Sequence, residues 1–123
     1  MSLKNSSVAI YRQIIEYFEL EIASGRLNAG DRIESIRALA LFFKVNPNTV
    51  QKALNELERD GLIETDRTNG KFVTDKKDII KKLRSELGRR YSVVFVEKTK
   101  TLGLDLEETL SLLKHEWEVG KDE

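Results

Sequence analysis

Residues 44–51 read Lys44-Val45-Asn46-Pro47-Asn48-Thr49-Val50-Gln51, and this stretch decides the fold. Asn46 is a favourable cap for the start of a helix, and Pro47 fits the first helical position, where its missing amide hydrogen leaves no bond unmade. Apolar residues then recur every three or four positions as far as Leu57, and Gly61 follows Asp60 as a stop signal. The sequence therefore predicts a helix that begins at Pro47 and ends near Asp60.

A short helix is predicted immediately upstream. Ser35 can cap this helix, and its apolar residues end at Phe43. Only residues 44–46 separate it from the helix at Pro47. Two helices joined by so short a turn form a helix-turn-helix.

A longer helix precedes this pair, and a hairpin follows it. Apolar residues four positions apart predict the helix from about Ala9 to Ser24, and residues 25–32 have the glycines and the lack of periodicity of a loop. Two short segments with β-forming residues, Leu62–Thr65 and Lys71–Thr74, flank a turn-rich stretch. The order of these elements predicts a winged helix-turn-helix over residues 1–74.

Residues 75–123 are predicted to form a second, helical region. A long helix opens at Asp75, and its apolar seam has the spacing of a helix that packs along a partner. The β-branched residues 91–96 also favour a strand, but the seam continues through them to Leu102, so a helix is preferred. Gly103 ends it, and a last helix begins at a capping box and runs to about Glu118. The seam consists of Ile80, Leu83, Leu87, Tyr91 and Val94.

The fold class is accordingly mostly α with a small β-hairpin: an N-terminal winged helix-turn-helix and a short two-helix dimerisation unit. The exposed seam predicts a homodimer, since a winged domain offers no second helix layer to cover it. The capping box is formed by Asp105 and Glu108, whose carboxylates can each accept from a backbone amide of the same turn.

Composition excludes several classes of function. The chain has 123 residues, 40% of them apolar, which suits one small globular domain with an appendage. Cysteine is absent and His115 is the single histidine, so no metal site, thiol catalysis or cofactor is expected. No apolar run reaches the roughly 18 residues of a membrane span, and no signal peptide is evident, which predicts a cytoplasmic protein without a membrane partner.

Charge is balanced overall but uneven along the chain. Lysine plus arginine and aspartate plus glutamate number 21 each. Residues 75–100 hold 9 basic and 4 acidic side chains, whereas residues 101–123 hold 2 and 7. The overall net charge of zero therefore does not indicate a nucleic-acid partner, and the distribution of charge along the chain is more informative.

The helix at Pro47 has the residues of a DNA-recognition helix. The amides of Asn48 and Gln51 can pair with adenine, and Thr49 can contact a phosphate or a thymine methyl group. Lys44 and Lys52 can neutralise phosphates. Double-stranded DNA is therefore the expected partner.

The sequence resembles the DNA-binding domain of GntR-family bacterial transcription regulators over about residues 8–74. The Val-Asn-Pro-Asn-Thr-Val stretch, and Leu102-Gly103-Leu104 in a short tail, are similar to the YtrA-like subfamily, whose C-terminal part is a small two-helix dimerisation unit. The motifs that carry the resemblance are Tyr11-x-Gln13-Ile14, Ile22-x-x-Gly25-x-Leu27-x-x-Gly30-Asp31-x-Ile33-x-Ser35-x-Arg37-x-Leu39-Ala40, Val45 to Val50, Ala53-Leu54-x-x-Leu57-x-x-x-Gly61-Leu62-Ile63 and Gly70-x-Phe72-Val73.

The resemblance implies roles for individual residues. Arg37 falls where family members contact operator DNA, although a surface arginine paired with Glu34 or Asp31 is the alternative. The recognition turn and the wing tip, which approaches the minor groove, are implied to contact DNA through Asn46, Asn48, Thr49, Gln51, Asn69, Gly70 and Lys71, with Lys71 expected to hold a phosphate.

Two of the positions that depart from the family pattern bear on DNA binding. Glu34 stands where proline is usual, and its carboxylate is expected to weaken DNA binding. Thr68 occupies the first of the wing's usual two glycine positions, so the wing is expected to be stiffer or differently shaped.

The function expected from the sequence is a transcriptional regulator, a repressor, that acts as a homodimer on an inverted-repeat operator. An enzyme is disfavoured because no carboxylate has an apolar setting with a partner nucleophile. A winged helix used only for protein–protein interaction is the remaining alternative. A small-molecule effector of unknown identity could lie beside Arg89, Arg90, Tyr91, Phe95 and Trp117, although packing and solvated charge explain these residues more simply.

Overall fold

The computed structural model describes residues 7–120, which form five helices and one antiparallel hairpin. The fold class predicted from the sequence is confirmed. The elements are α1 (Ser7–Ala23), α2 (Ile36–Phe43), α3 (Pro47–Arg59), β1 (Ile63–Asp66), β2 (Gly70–Val73), α4 (Lys77–Thr101) and α5 (Leu106–Gly120).

The helix-turn-helix forms where the caps predicted it. The Ser35 hydroxyl accepts a hydrogen bond from the Ala38 amide at 3.1 Å, and the Asn46 side-chain oxygen accepts one from the Asn48 amide at 2.8 Å. Each side chain satisfies one of the amides that a helix start leaves without an intrahelical partner. These two caps fix the first turns of α2 and α3.

The core of the winged unit lies between α1, α2 and α3. Ile14 and Leu54 are fully buried, as is Phe43, whose ring meets the Tyr17 ring edge-on with centroids 5.1 Å apart. Burying an aliphatic or aromatic side chain of this size contributes about 1.5–3 kcal/mol. The polar face of α3 is therefore turned outward because its apolar face is held in this core.

The hairpin gains a third backbone segment that the sequence did not indicate. Ile63 pairs with Val73 at one end of the β1–β2 ladder. On the free edge of β2, Arg32 forms an antiparallel bridge with Phe72, and the Ile33 amide donates to the Lys71 carbonyl at 2.8 Å. The end of the predicted loop is thus paired with the wing.

Helix α4 continues through residues 91–96, so the strand alternative for them is wrong. The chain divides into two compact units, one up to Ser85 and one from Glu86. The beginning of α4 belongs to the first unit because Leu83 is buried there and the Arg84 guanidinium donates from Nε to the Ala23 carbonyl at 3.1 Å.

The second unit contains the rest of α4 and all of α5. The predicted capping box is present, since the Glu108 amide donates to Asp105 at 2.8 Å and the Asp105 amide donates to Glu108 at 3.1 Å. Helix α5 buries none of its described side chains within this single chain. No helix within residues 7–120 is both long and apolar enough to cross a membrane.

Candidate DNA interface

The N-terminal turn of α3 presents the polar side chains that the sequence assigned to DNA. Asn48 is exposed, and Thr49 and Gln51, one and three positions further along the same helix, are half-buried. The adjoining Val50 is fully buried, which fixes the rotation of the helix. This turn therefore presents amide and hydroxyl groups, which are groups that can pair with base edges, while its other side is anchored in the core.

Two of the amide side chains that the sequence assigned to DNA, those of Asn46 and Gln51, already have partners within the protein. The Asn46 side-chain oxygen is the cap of α3 described above, so the structure gives Asn46 a structural role that does not require DNA. The Gln51 side-chain amide donates to the Asn55 side-chain oxygen at 2.7 Å. This bond fixes the direction of the Gln51 amide and leaves its own oxygen available to accept from adenine.

The basic side chains around α3 differ in their surroundings. The Lys52 ammonium lies 4.8 Å from the centre of the Tyr11 ring, and the side chain is exposed. Lys44 is also exposed and has a left-handed backbone, with φ 59° and ψ 50°. It is the only described residue other than glycine with a positive φ. Backbone strain is thus located at a residue assigned to phosphate contact.

Arg37 lies in the first turn of α2 and is exposed. Within residues 7–120 no ion pair joins it to Glu34 or Asp31, and the Asp31 carboxylate instead accepts from the Asn28 amide at 2.8 Å. The alternative in which Arg37 is paired with one of these carboxylates is therefore not what the structure contains.

The wing turn is closed by an aspartate. The Asp66 carboxylate accepts from the Thr68 amide at 2.9 Å and from the Asn69 side-chain amide at 3.0 Å. The bond from the Thr68 amide is the main reason that the pKa of the Asp66 carboxyl lies below its usual value. Gly70 follows with φ 104°, a conformation that favours glycine. The Asn69 side chain is therefore engaged within the turn.

Lys71, which was expected to hold a phosphate, has partners within the protein. Its ammonium donates to the Glu58 carboxylate of α3 at 3.3 Å and to the Thr65 hydroxyl of β1 at 2.9 Å. The pKa of the Glu58 carboxyl is lowered, first by a hydrogen bond from Thr65 and then by Lys71. This cluster ties the wing to α3, which the sequence did not reveal because Glu58 and Lys71 are 13 residues apart.

The residues assigned to dimerisation fall into two groups. Leu83 and Leu87 are 5% and 4% exposed in the single chain, and Ile80 is half-buried. Tyr91 and Val94 are 55% and 46% exposed. The predicted seam is therefore already covered over its first half.

The residues considered for an effector site are all exposed. Arg89, Arg90 and Tyr91 lie on α4 with Phe95, and Trp117 on α5 is 68% exposed. Within residues 7–120, no cluster of histidine, aspartate and glutamate side chains could hold a metal ion.

Comparisons with known proteins agree with this architecture. The family model for bacterial regulatory proteins of the gntR family matches residues 10–73. The chain is 39% identical to YhcF, an uncharacterized HTH-type transcriptional regulator of Bacillus subtilis, over 89% of this chain and 90% of the relative. It is 44% identical to the HTH-type transcriptional repressor YtrA of the same organism over 57% of this chain and 54% of the relative.

Solved structures give the same result. A GntR family transcriptional regulator from Listeria monocytogenes matches with a TM-score of 0.81 and 36% identity, over 86% of this chain and 93% of that one. The DNA-binding domain of AraR, solved in complex with operator ORR3, matches with a TM-score of 0.51 and 28% identity, over 53% of this chain and 78% of that one.

These relatives are named as regulators of transcription, which agrees with a DNA-binding role and not with that of an enzyme. The family match spans more than half of the chain and includes the helix-turn-helix and the wing. The chain therefore belongs to the GntR family of bacterial regulatory proteins and is a DNA-binding transcriptional regulator.

Proposed function

We propose that the protein is a repressor that binds an inverted-repeat operator as a homodimer. The observation that carries the proposal is the N-terminal turn of α3, where exposed or half-buried amide and hydroxyl groups stand above a fully buried Val50. A helix with only a structural role would not need amide and hydroxyl groups at these positions. In this proposal Asn48, Thr49 and Gln51 contact base edges in the major groove.

Phosphate contacts surround this turn in the proposal. Arg37 is exposed in the first turn of α2, Lys44 in the turn between the helices and Lys52 in the second turn of α3. Each can neutralise one phosphate. The wing contributes Asn69 and Gly70 at its tip.

The homodimer is supported by the apolar surface of the second unit. Leu106 and Trp117 on α5 are 72% and 68% exposed, and Tyr91 and Val94 on α4 are more than two-fifths exposed. Monomeric proteins rarely expose apolar patches of this extent. A second copy of the same chain is the partner that two-fold symmetry supplies, and it would place two recognition helices on one operator.

The sign of regulation rests on one relative, because YtrA is named a repressor. No small-molecule effector is part of the proposal, since the residues considered for one lie on open helix surfaces.

The experiment is selection of duplexes from a random pool by the full chain, followed by binding assays at low and high salt. We expect inverted repeats and a steep fall in affinity with salt. Asn48→Ala should cost about 1–3 kcal/mol on the selected site and relax the preference there. Lys52→Ala should weaken all sequences alike and reduce the salt slope by about one unit.

A flat salt dependence on every duplex would instead support a winged helix that serves only protein–protein interaction. Equal effects of Asn48→Ala and Lys52→Ala on selected and random DNA would refute the assignment of base contacts.

Assembly is tested by truncation. The truncated chain should end at Ser85, because Leu83 is buried in the first unit and must be kept. This shortened chain should stay folded yet lose most of its operator affinity, since nothing then holds the second half-site at high effective concentration. Sedimentation of the full chain as a monomer at micromolar concentration, or undiminished affinity of the shortened chain, would contradict the dimer.

A further inference from the structure

Arg32 lies on the wing, outside the set of residues that the sequence assigned to DNA. Its backbone bridges Phe72 on the free edge of β2. Residues two apart on a strand share one face of a sheet, so Gly70 lies on the same face as Phe72, next to the wing tip. The side chain of Arg32 is exposed there.

The guanidinium of Arg32 lies across Gly70. A side chain at position 70 would place its first carbon 3.5 Å from both Nε and Nη2 of Arg32. Because Gly70 has none, the planar group lies over the space that such a side chain would border. The backbone of Arg32 is held by the bridge to Phe72, and its guanidinium lies beside Gly70 near the tip of the wing.

Within the residues that the structure describes, no ion pair involves Arg32. Lys71, the neighbouring wing cation, is instead bound to Glu58 and Thr65. Lys71 and Phe72 are consecutive and so face opposite sides of the strand. In the described part of the chain, the sheet face that includes Gly70 therefore presents an arginine that forms no ion pair with the carboxylates of Glu64 and Asp66, which share this face through their pairing with Phe72 and Gly70.

We propose that Arg32 is the residue with which the wing reads the minor groove, and that it favours narrow, A·T-rich flanks of the operator. The proposal rests on the proposed function, in which the wing tip meets DNA. A narrow minor groove has an enhanced negative potential that attracts arginine. A G·C pair adds an amino group to the groove floor, which obstructs a guanidinium. Arg32 thereby specifies bases that α3 does not reach.

The test compares three versions of the selected duplex that differ only in the flanks next to the wing: A·T pairs, G·C pairs and inosine·C pairs. Inosine·C has the major-groove edge of G·C but lacks the minor-groove amino group. The full chain should prefer A·T over G·C flanks by about fivefold or more, and inosine·C flanks should restore most of this preference.

Arg32→Ala should remove the preference, so that all three duplexes bind alike. Arg32→Lys should retain the salt dependence of binding but lose most of the preference, because an ammonium lacks the planar fork. Arg67→Ala is the matched control, since Arg67 is an exposed arginine in the wing turn itself. The comparison is a ratio of affinities within one variant, so a change in folded fraction does not affect it.

A preference that survives Arg32→Ala, or that is lost in Arg67→Ala instead, would overturn the proposal. The same conclusion would follow if inosine·C flanks behaved as G·C flanks do, because the major groove would then be the source. If the unaltered chain bound no duplex in a salt-dependent way, the proposed function itself would fail, a result distinct from DNA binding without a flank preference.

Discussion

Stability and DNA binding are expected to respond in opposite directions to a change at Lys44. A left-handed backbone costs a residue other than glycine about 1–2 kcal/mol. Glycine avoids this strain but gives the unfolded chain more freedom, which removes about 0.4–1 kcal/mol of the gain. With φ 59° and ψ 50° at this position, Lys44→Gly should raise the free energy of unfolding by about 0.5–1 kcal/mol.

The same substitution should weaken DNA binding. Lys44 is exposed in the turn before α3 and is proposed to neutralise one phosphate. Losing one phosphate contact should reduce the slope of log affinity against log salt by about 0.9. A more stable protein that binds its operator less well is therefore expected.

Lys44→Ala is the matched control, because alanine removes the charge but keeps the strain. Urea denaturation at one fixed protomer concentration gives the free energy of unfolding, and fluorescence anisotropy at several salt concentrations gives the slope. Both variants should lose the same slope, and only the glycine variant should gain stability.

Two results would refute this reasoning. If Lys44→Gly is no more stable than Lys44→Ala, the turn stores no strain at this residue. If the salt slope is unchanged in both variants, Lys44 lies away from the phosphates.

Three further predictions concern α3 and the wing. Lys71→Met should lower the free energy of unfolding by about 0.5–1 kcal/mol by removing the contact with Glu58, and should change the salt slope by well under one unit. Asn46→Ala should cost about 1 kcal/mol of stability by removing the cap of α3, whereas Asn46→Ser should retain it. The pKa of Asp66 is lowered in the folded wing, so the turn's contribution to stability is present at neutral pH and is lost as pH falls through that value; the chemical shift of the Thr68 amide hydrogen should titrate with a midpoint below the usual 3.8.

Each of these has a contrary outcome. A loss of one full unit of salt slope in Lys71→Met, with stability unchanged, would make Lys71 a phosphate ligand. Equal stability of Asn46→Ala and Asn46→Ser would remove the capping role. A Thr68 amide shift that does not change with pH would mean that the bond to Asp66 is absent in solution.

Local chemistry explains why much of the fold was predictable. Asn46 defines the start of α3 by accepting from the amide two positions away, and Asp105 and Glu108 define the start of α5 through bonds between residues three positions apart. Such contacts can be predicted from the identities of residues that are close together in the sequence. For the β-branched residues 91–96, the local preference for a strand conflicted with the helical spacing of the apolar seam, and the helical spacing gave the correct prediction.

Contacts between distant segments were not predictable in the same way. The pairing of Arg32 with Phe72 and the contact between Glu58 and Lys71 exist only after the hairpin has packed beside α3. No residue pattern within either segment records them. The burial of Leu83 was not predictable for the same reason. The spacing of the seam assigned Leu83 to a partner chain, whereas the first unit of the same chain covers it.

The aspartate-closed wing turn has a consequence for the entropy of binding. Fixing the backbone of one residue costs about 1–2 kcal/mol in conformational entropy. A wing turn with two glycines would keep much of its conformational freedom until it bound DNA. Here the carboxylate of Asp66 holds the Thr68 amide and the Asn69 side chain in the unbound protein. The loss of freedom therefore belongs to folding, and less of the wing's contact energy is spent on ordering the turn when the complex forms.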